Sequence, residues 1–117
     1  MLTLAAPVAA RADASPSPPL ADQLHAVYYQ EGVLEYCGLL TEEVYDGYRR
    51  LVRYLVDAGH FDAETERRIR IDGAVQADYQ FGNHGLVGQK LWCATDGQEF
   101  VQRFLDFRRR DLAGEFD

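Results

Sequence analysis

From Leu20 onward, apolar residues return every three or four positions, the period of a helix with one buried side. Leu20, Leu24, Val27, Leu34 and Cys37 mark a first helix. Its stripe is interrupted once, at Glu31. Pro19 suits the edge of a first helical turn. Gly38 and Thr41 break the pattern, with Thr41 as N-cap and Glu42 and Glu43 in the first turn that follows. The second helix carries Val44, Tyr48, Leu51, Val52 and Leu55, and Gly59 is expected just past its end. Asp62 caps a third helix, with Glu64 and Glu66 in its first turn. Its apolar positions, Ile69, Ile71, Ala74, Val75 and Phe81, make a less tidy stripe that Gly73 weakens. Thr95 with Gln98, or Asp96 with Glu99, resembles a capping box opening a last helix. Phe100, Phe104 and Phe107 line that helix, Val101, Leu105 and Leu112 lie beside them, and Arg108 to Arg110 occupy its last turn.

No stretch alternates apolar with polar residues, so no strand is predicted, and no internal repeat is visible. The predicted fold is all-α: a compact bundle of four short helices, or four plus a short fifth at Leu86 to Cys93, with one disulfide. Residues 20–113 form one helical domain and residues 114–117 a tail.

The stretch FGNHGLVGQKLWC, Phe81 to Cys93, stands apart. Gly82, Gly85 and Gly88 recur at intervals of three beside His84, the only lysine and the only tryptophan. As a loop, glycines and Asn83 permit backbone conformations that end the third helix. As a continued helix, they open a path for the close backbone approach that a disulfide requires. In either case Leu86, Leu91 and Trp92 are expected to pack inward. The functional alternative is a binding loop in which backbone N–H groups, His84 and Lys90 hold an anion. The order matches neither a Walker loop nor the dinucleotide GxGxxG pattern.

Composition narrows the class. A chain of 117 residues, 47% hydrophobic and 26% charged, is an ordinary globular sequence. A net charge of -7 argues against nucleic-acid or anionic-membrane binding, which needs a basic surface. It favours a basic partner, or simply keeps the protein dispersed. No stretch reaches the ~20 apolar residues of a spanning helix.

Residues 1–12, MLTLAAPVAARA, read as the end of a secretory signal peptide. Leu2 to Ala10 is short and apolar, and Ala10 and Ala12 place small residues at the two positions a signal peptidase reads. The basic n-region is missing, so the true start is expected upstream; the alternative is an Ala-rich tail. Residues 13–19 form a Pro/Ser-rich linker. Cys37 and Cys93 are the only cysteines, and in an exported chain they make one disulfide. Localisation is therefore expected to be periplasmic or secreted.

The candidate chemistry is thin. His25, His60 and His84 are scattered, with no HExxH motif and no metal-ligand spacing, so neither a metal nor a cofactor is expected. A disulfide removes cysteine catalysis, and no GxSxG element exists. Glu31, Asp72 and Asp78 are expected as half-buried acids near the core. Such groups either act as acid and base or pair with Arg68, Arg70 or tyrosine hydroxyls. Tyr28 and Tyr29 are adjacent and cannot share one narrow core face, so one should reach the surface. Tyr28, Tyr29 and Tyr45, with the Asn83-His84 turn, form the expected partner-binding surface.

The sequence thus reads as a non-enzymatic exported accessory protein that docks on a larger periplasmic protein. The alternative is an acid- or stress-responsive holdase chaperone, which protonation of its nineteen acidic residues would make positive and loosen. A small carboxylate-dependent enzyme comes third. Oligomeric state is not indicated.

Overall fold

The computed structural model describes residues 19–117. The expected signal remnant at 1–12, and the expected linker up to residue 18, lie outside the described residues. Those described form helices α1 (Leu20–Cys37), α2 (Glu42–Gly59), α3 (Ala63–Trp92) and α4 (Gln98–Leu112), with no strand among them. The all-α bundle is therefore observed. α1 is the central helix, with α3 along one side and α2 along another, while α4 packs mainly on α2.

Local chemistry sets the boundaries. Thr41 Oγ1 accepts from Val44 N, and the Asp62 carboxylate accepts from Thr65 N, as predicted for both caps. α1 ends on Gly38 in the left-handed region, φ 67°. α2 differs by one residue: it runs through Gly59, and His60 takes the left-handed position at φ 52°. Gly59 serves packing instead, because a Cβ there would lie 2.4 Å from the Phe61 ring.

Two apolar clusters hold the helices. The larger contains Leu24, Val27, Tyr28 and Leu34 of α1, Val44, Leu51 and Leu55 of α2, and Phe104 and Phe107 of α4. The smaller contains Val33, Ala77 and Trp92. Because α1 is covered on two sides, Tyr28 and Tyr29 enter different clusters. Tyr28 is 4% exposed in the larger one. Tyr29 packs beside the smaller one, edge-on to Phe100. Adjacent residues on a helix point about 100° apart, and here both directions meet protein.

The α1–α3 contact is made by small residues. A Cβ on Gly73 would sit 2.8 Å from Tyr28 Cβ, and one on Gly32 would sit 2.7 Å from Ala77 Cβ. Gly73 thus lets the backbones approach. The predicted stripe of α3 is met in part, with Ile69 and Phe81 packed against the two clusters. Ile71 and Val75 point outward, as does Tyr79, while Gly73 and Ala77 face α1. Asp72 and Asp78 are exposed rather than half-buried: Asp72 lies on the outward side, and Asp78 lies at the open edge of the contact with α1.

α3 kinks at Gly85, φ 70° and ψ 175°. Both readings of the glycine stretch are partly met: helix continues, and one glycine supplies a conformation other residues resist. The close approach expected of these glycines is absent, since a Cβ at Gly82 or Gly85 would meet nothing within 4 Å. Gln89 Nε2 donates to Phe81 O across the bend. After the kink only Trp92 turns inward, at 3% exposure. Leu86 and Leu91, expected inside, are 89% and 68% exposed, and Val87 joins them at 88%. In the redirected final turns Trp92 joins the cluster of Val33 and Ala77, and Cys93 bonds to Cys37 at the end of α1.

The predicted capping box does not form. α3 continues into α4 through a π turn, Cys93–Gly97, without a side-chain cap. Thr95 Oγ1 donates back to Leu91 O instead. Gly97 is buried there, where a Cβ would lie 3.0 Å from Leu39 Cδ1 and 3.6 Å from Cys37 Sγ. The expected tail is also tied down: Phe116 stacks on Phe107 with centroids 4.6 Å apart, and Arg110 pairs with Glu115.

Candidate functional site

The Cys37–Cys93 disulfide forms as predicted, with Cα atoms 5.5 Å apart, and fixes the end of α3 to the end of α1. Beside it runs an open cleft of about 390 Å³. α1 supplies Glu31, Gly32, Glu35 and Tyr36 to its lining, and α3 supplies Ala74 and Asp78. Gly32 and Ala74 are small, so the carboxylates and the tyrosine hydroxyl dominate its chemistry.

Glu31 occupies the gap in the α1 stripe and is partly buried. Burial, then the adjacent Glu35 carboxyl, pushes its pKa up to about 8. At neutral pH Glu31 therefore holds a proton. The Tyr48 hydroxyl of α2 is also raised, chiefly by burial and secondly by the charge Glu31 carries once it ionises. Tyr36 donates to Asp78, which ties α1 to α3 across the mouth of the cleft, and this bond raises the tyrosine hydroxyl's pKa. Tyr28 donates to Glu66 one layer away, while Arg70 pairs with Glu66 and Arg68 with Glu64. The tyrosine-hydroxyl pairing expected for the acids is thus found for Asp78.

Charge is unevenly distributed around this region. α1 contains no lysine or arginine, and between Arg70 and Trp92 the only such residue is Lys90. Arginines gather on the opposite side, where Asp46 receives Arg49, Arg50 and Arg108, and Arg50 also reaches Asp111. Asp46 is held below the usual carboxylate range, first by Arg50. No ion pair involves Glu31, Glu35, Asp72 or Asp78 among the described residues. The arrangement offers negative charge, a bound proton and tyrosine hydroxyls, a setting that favours a cation.

The predicted partner surface is redrawn. Tyr28 is buried and leaves it, and Tyr29 is half covered. Tyr45 remains exposed, with Arg49 over its ring. Asn83 and His84 are exposed at the kink, and His84 stacks on Trp92 with centroids 4.8 Å apart. Sequence reasoning missed an outward apolar row: Ile71, Val75 and Tyr79 along α3, then Leu86, Val87 and Leu91 beyond the kink. Its signal was present as apolar residues at i, i+4 and i+8, but periodicity does not say which side faces the protein.

Among the described residues, no group of three or more His, Cys, Asp or Glu is placed to hold a metal ion. No helix among them is long and apolar enough to cross a membrane. No family model, curated protein or solved structure matches the chain.

Proposed function

We propose that this chain is a non-catalytic docking protein, a disulfide-stapled helical module that binds a larger exported protein. The observation that supports this reading most directly is the outward row on α3. Ile71, Val75 and Tyr79 form one ridge, and Leu86, Val87 and Leu91 extend the apolar surface past the bend. Single exposed apolar residues are ordinary, but a series of them along one element points to an interaction surface. The disulfide supports an oxidising compartment, hence the periplasm or the exterior. It also holds the end of α3 beside α1, so the surface stays ordered before a partner arrives, which lowers the cost of binding.

The test is capture from a periplasmic or secreted fraction of the host, with the oxidised protein as bait and Val75→Ser/Leu86→Ser as its matched control. One dominant partner retained by the native bait and lost by the control supports the reading. Equal capture by both baits removes it.

A further inference from the structure

We infer that the occupant of α3's outward face is a cationic amphipathic helix of another protein, its apolar side on Ile71, Val75 and Tyr79 and its lysines or arginines against Asp72, Asp78 and Glu35. The inference rests on the docking reading and adds the chemistry of the partner.

Three observations lead to it. First, Ile71, Val75 and Tyr79 form a ridge with a spacing of four, the feature that interdigitates with the grooves of a second helix. A helix face has no free backbone donors or acceptors, so it offers an extended peptide no ladder to join. Second, from Ile71 onward the flanks of the ridge are acidic, Arg67, Arg68 and Arg70 all lying before it. Asp72 lies on one side of the row and Asp78 on the other, with Glu35 beyond Asp78 in the cleft. None of these carboxylates has an ion pair among the described residues, whereas Asp46 and Asp111 on the α2–α4 side are matched with arginines. Third, the same charges oppose the other occupants. An antiparallel second copy centred on Val75 sets Asp72 and Asp78 of each chain against those of the other. Like charges so placed repel. An anionic bilayer meets the same repulsion. A helix with basic flanks meets apolar surface in the middle and opposite charge at both edges.

The probe is a fluorescein-labelled eighteen-residue leucine/lysine peptide with an apolar stripe and lysines on both flanks. Its control carries glutamate at every lysine position. Anisotropy is read with the oxidised protein at low and moderate salt, and circular dichroism confirms that each variant is folded. The lysine peptide binds, binding weakens with salt, and the glutamate peptide does not bind. Asp72→Asn, a fully outward change, weakens the lysine peptide by about two- to fivefold. Asp72→Asn/Asp78→Asn weakens it further and flattens the salt dependence, and Val75→Ser/Tyr79→Ser abolishes binding. Equal binding of both peptides overturns the charge assignment while leaving a docking face. Failure of both peptides overturns this proposal and counts against the docking reading as well. Lysine-peptide binding that survives Val75→Ser/Tyr79→Ser is non-specific attraction and overturns it. A dimer in sedimentation that Val75→Ser dissolves makes the occupant a second copy instead.

Discussion

Glu31 makes the stability of this protein depend on pH in a direction opposite to ordinary acid denaturation, and Glu31→Gln isolates the effect. The carboxyl titrates near 4.5 in the unfolded chain and at about 8 when folded. Below pH 4.5 it is protonated in both states. Between 4.5 and about 8 the folded chain keeps a proton that the unfolded chain has lost. The unfolded state then binds fewer protons, so stability falls as pH rises through this interval, and above about 8 the loss is complete. The full interval sets an upper limit of about 5 kcal/mol. Glu31 is only partly buried, so solvent screening reduces the effect to about 1–2 kcal/mol. Glutamine keeps the shape and stays neutral at every pH. Glu31→Gln should match the native protein near pH 5 and exceed it by about 1–2 kcal/mol near pH 8.5, a rise in Tm of roughly 5–10 °C. Urea denaturation at both pH values, followed by Trp92 fluorescence and far-UV circular dichroism, measures it. Asp46 and Asp62 carry lowered pKa values and weaken the fold in stronger acid, but they act equally in both proteins and cancel in the difference. A difference that does not vary with pH, or a glutamine variant less stable throughout, refutes the reasoning.

Three further outcomes are expected. Replacing Cys37 and Cys93 by serine releases a constraint across 56 residues and should cost about 4 kcal/mol in the chain-entropy account. Trp92, buried beside Cys93, should shift its emission to the red before the helices melt, and an unchanged emission and urea midpoint would count against the staple. Gly47→Ala should destabilise by about 3 kcal/mol or more, because its Cβ would fall 2.1 Å from Phe104 O where α2 crosses α4. Its matched control, Gly82→Ala, meets nothing within 4 Å and should gain about 0.5–1 kcal/mol from helix propensity; equal Tm changes would show that the crossing is looser than described. Gln30→Met should stabilise by about 1 kcal/mol, since Gln30 Oε1 is buried without a hydrogen-bond partner, and thermal melts showing a lower Tm would mean that the amide is satisfied after all.

Read alone, the sequence determined the elements whose signals are local. Helical period, Thr41 and Asp62 as caps, the break after Cys37, the pairing of the only two cysteines and the anomaly at Glu31 all depend on neighbours within a turn or two, or on simple counting. What it misassigned depends on distance and direction. The inward side of α3 is carried largely by Gly73 and Ala77, whose lack of bulk admits α1, so a search for large apolar residues took in Ile71 and Val75, which face outward. Tyr28 and Tyr29 were both offered to solvent or a partner because a lone helix has one buried face, but α1 sits between neighbours and has two. The box at Thr95 to Glu99 had suitable residues, but the chain was already helical there and left no free N–H groups for them to cap. Tertiary packing alone decided that Leu86, Val87 and Leu91 face outward, because one φ angle at Gly85 redirects every residue after it.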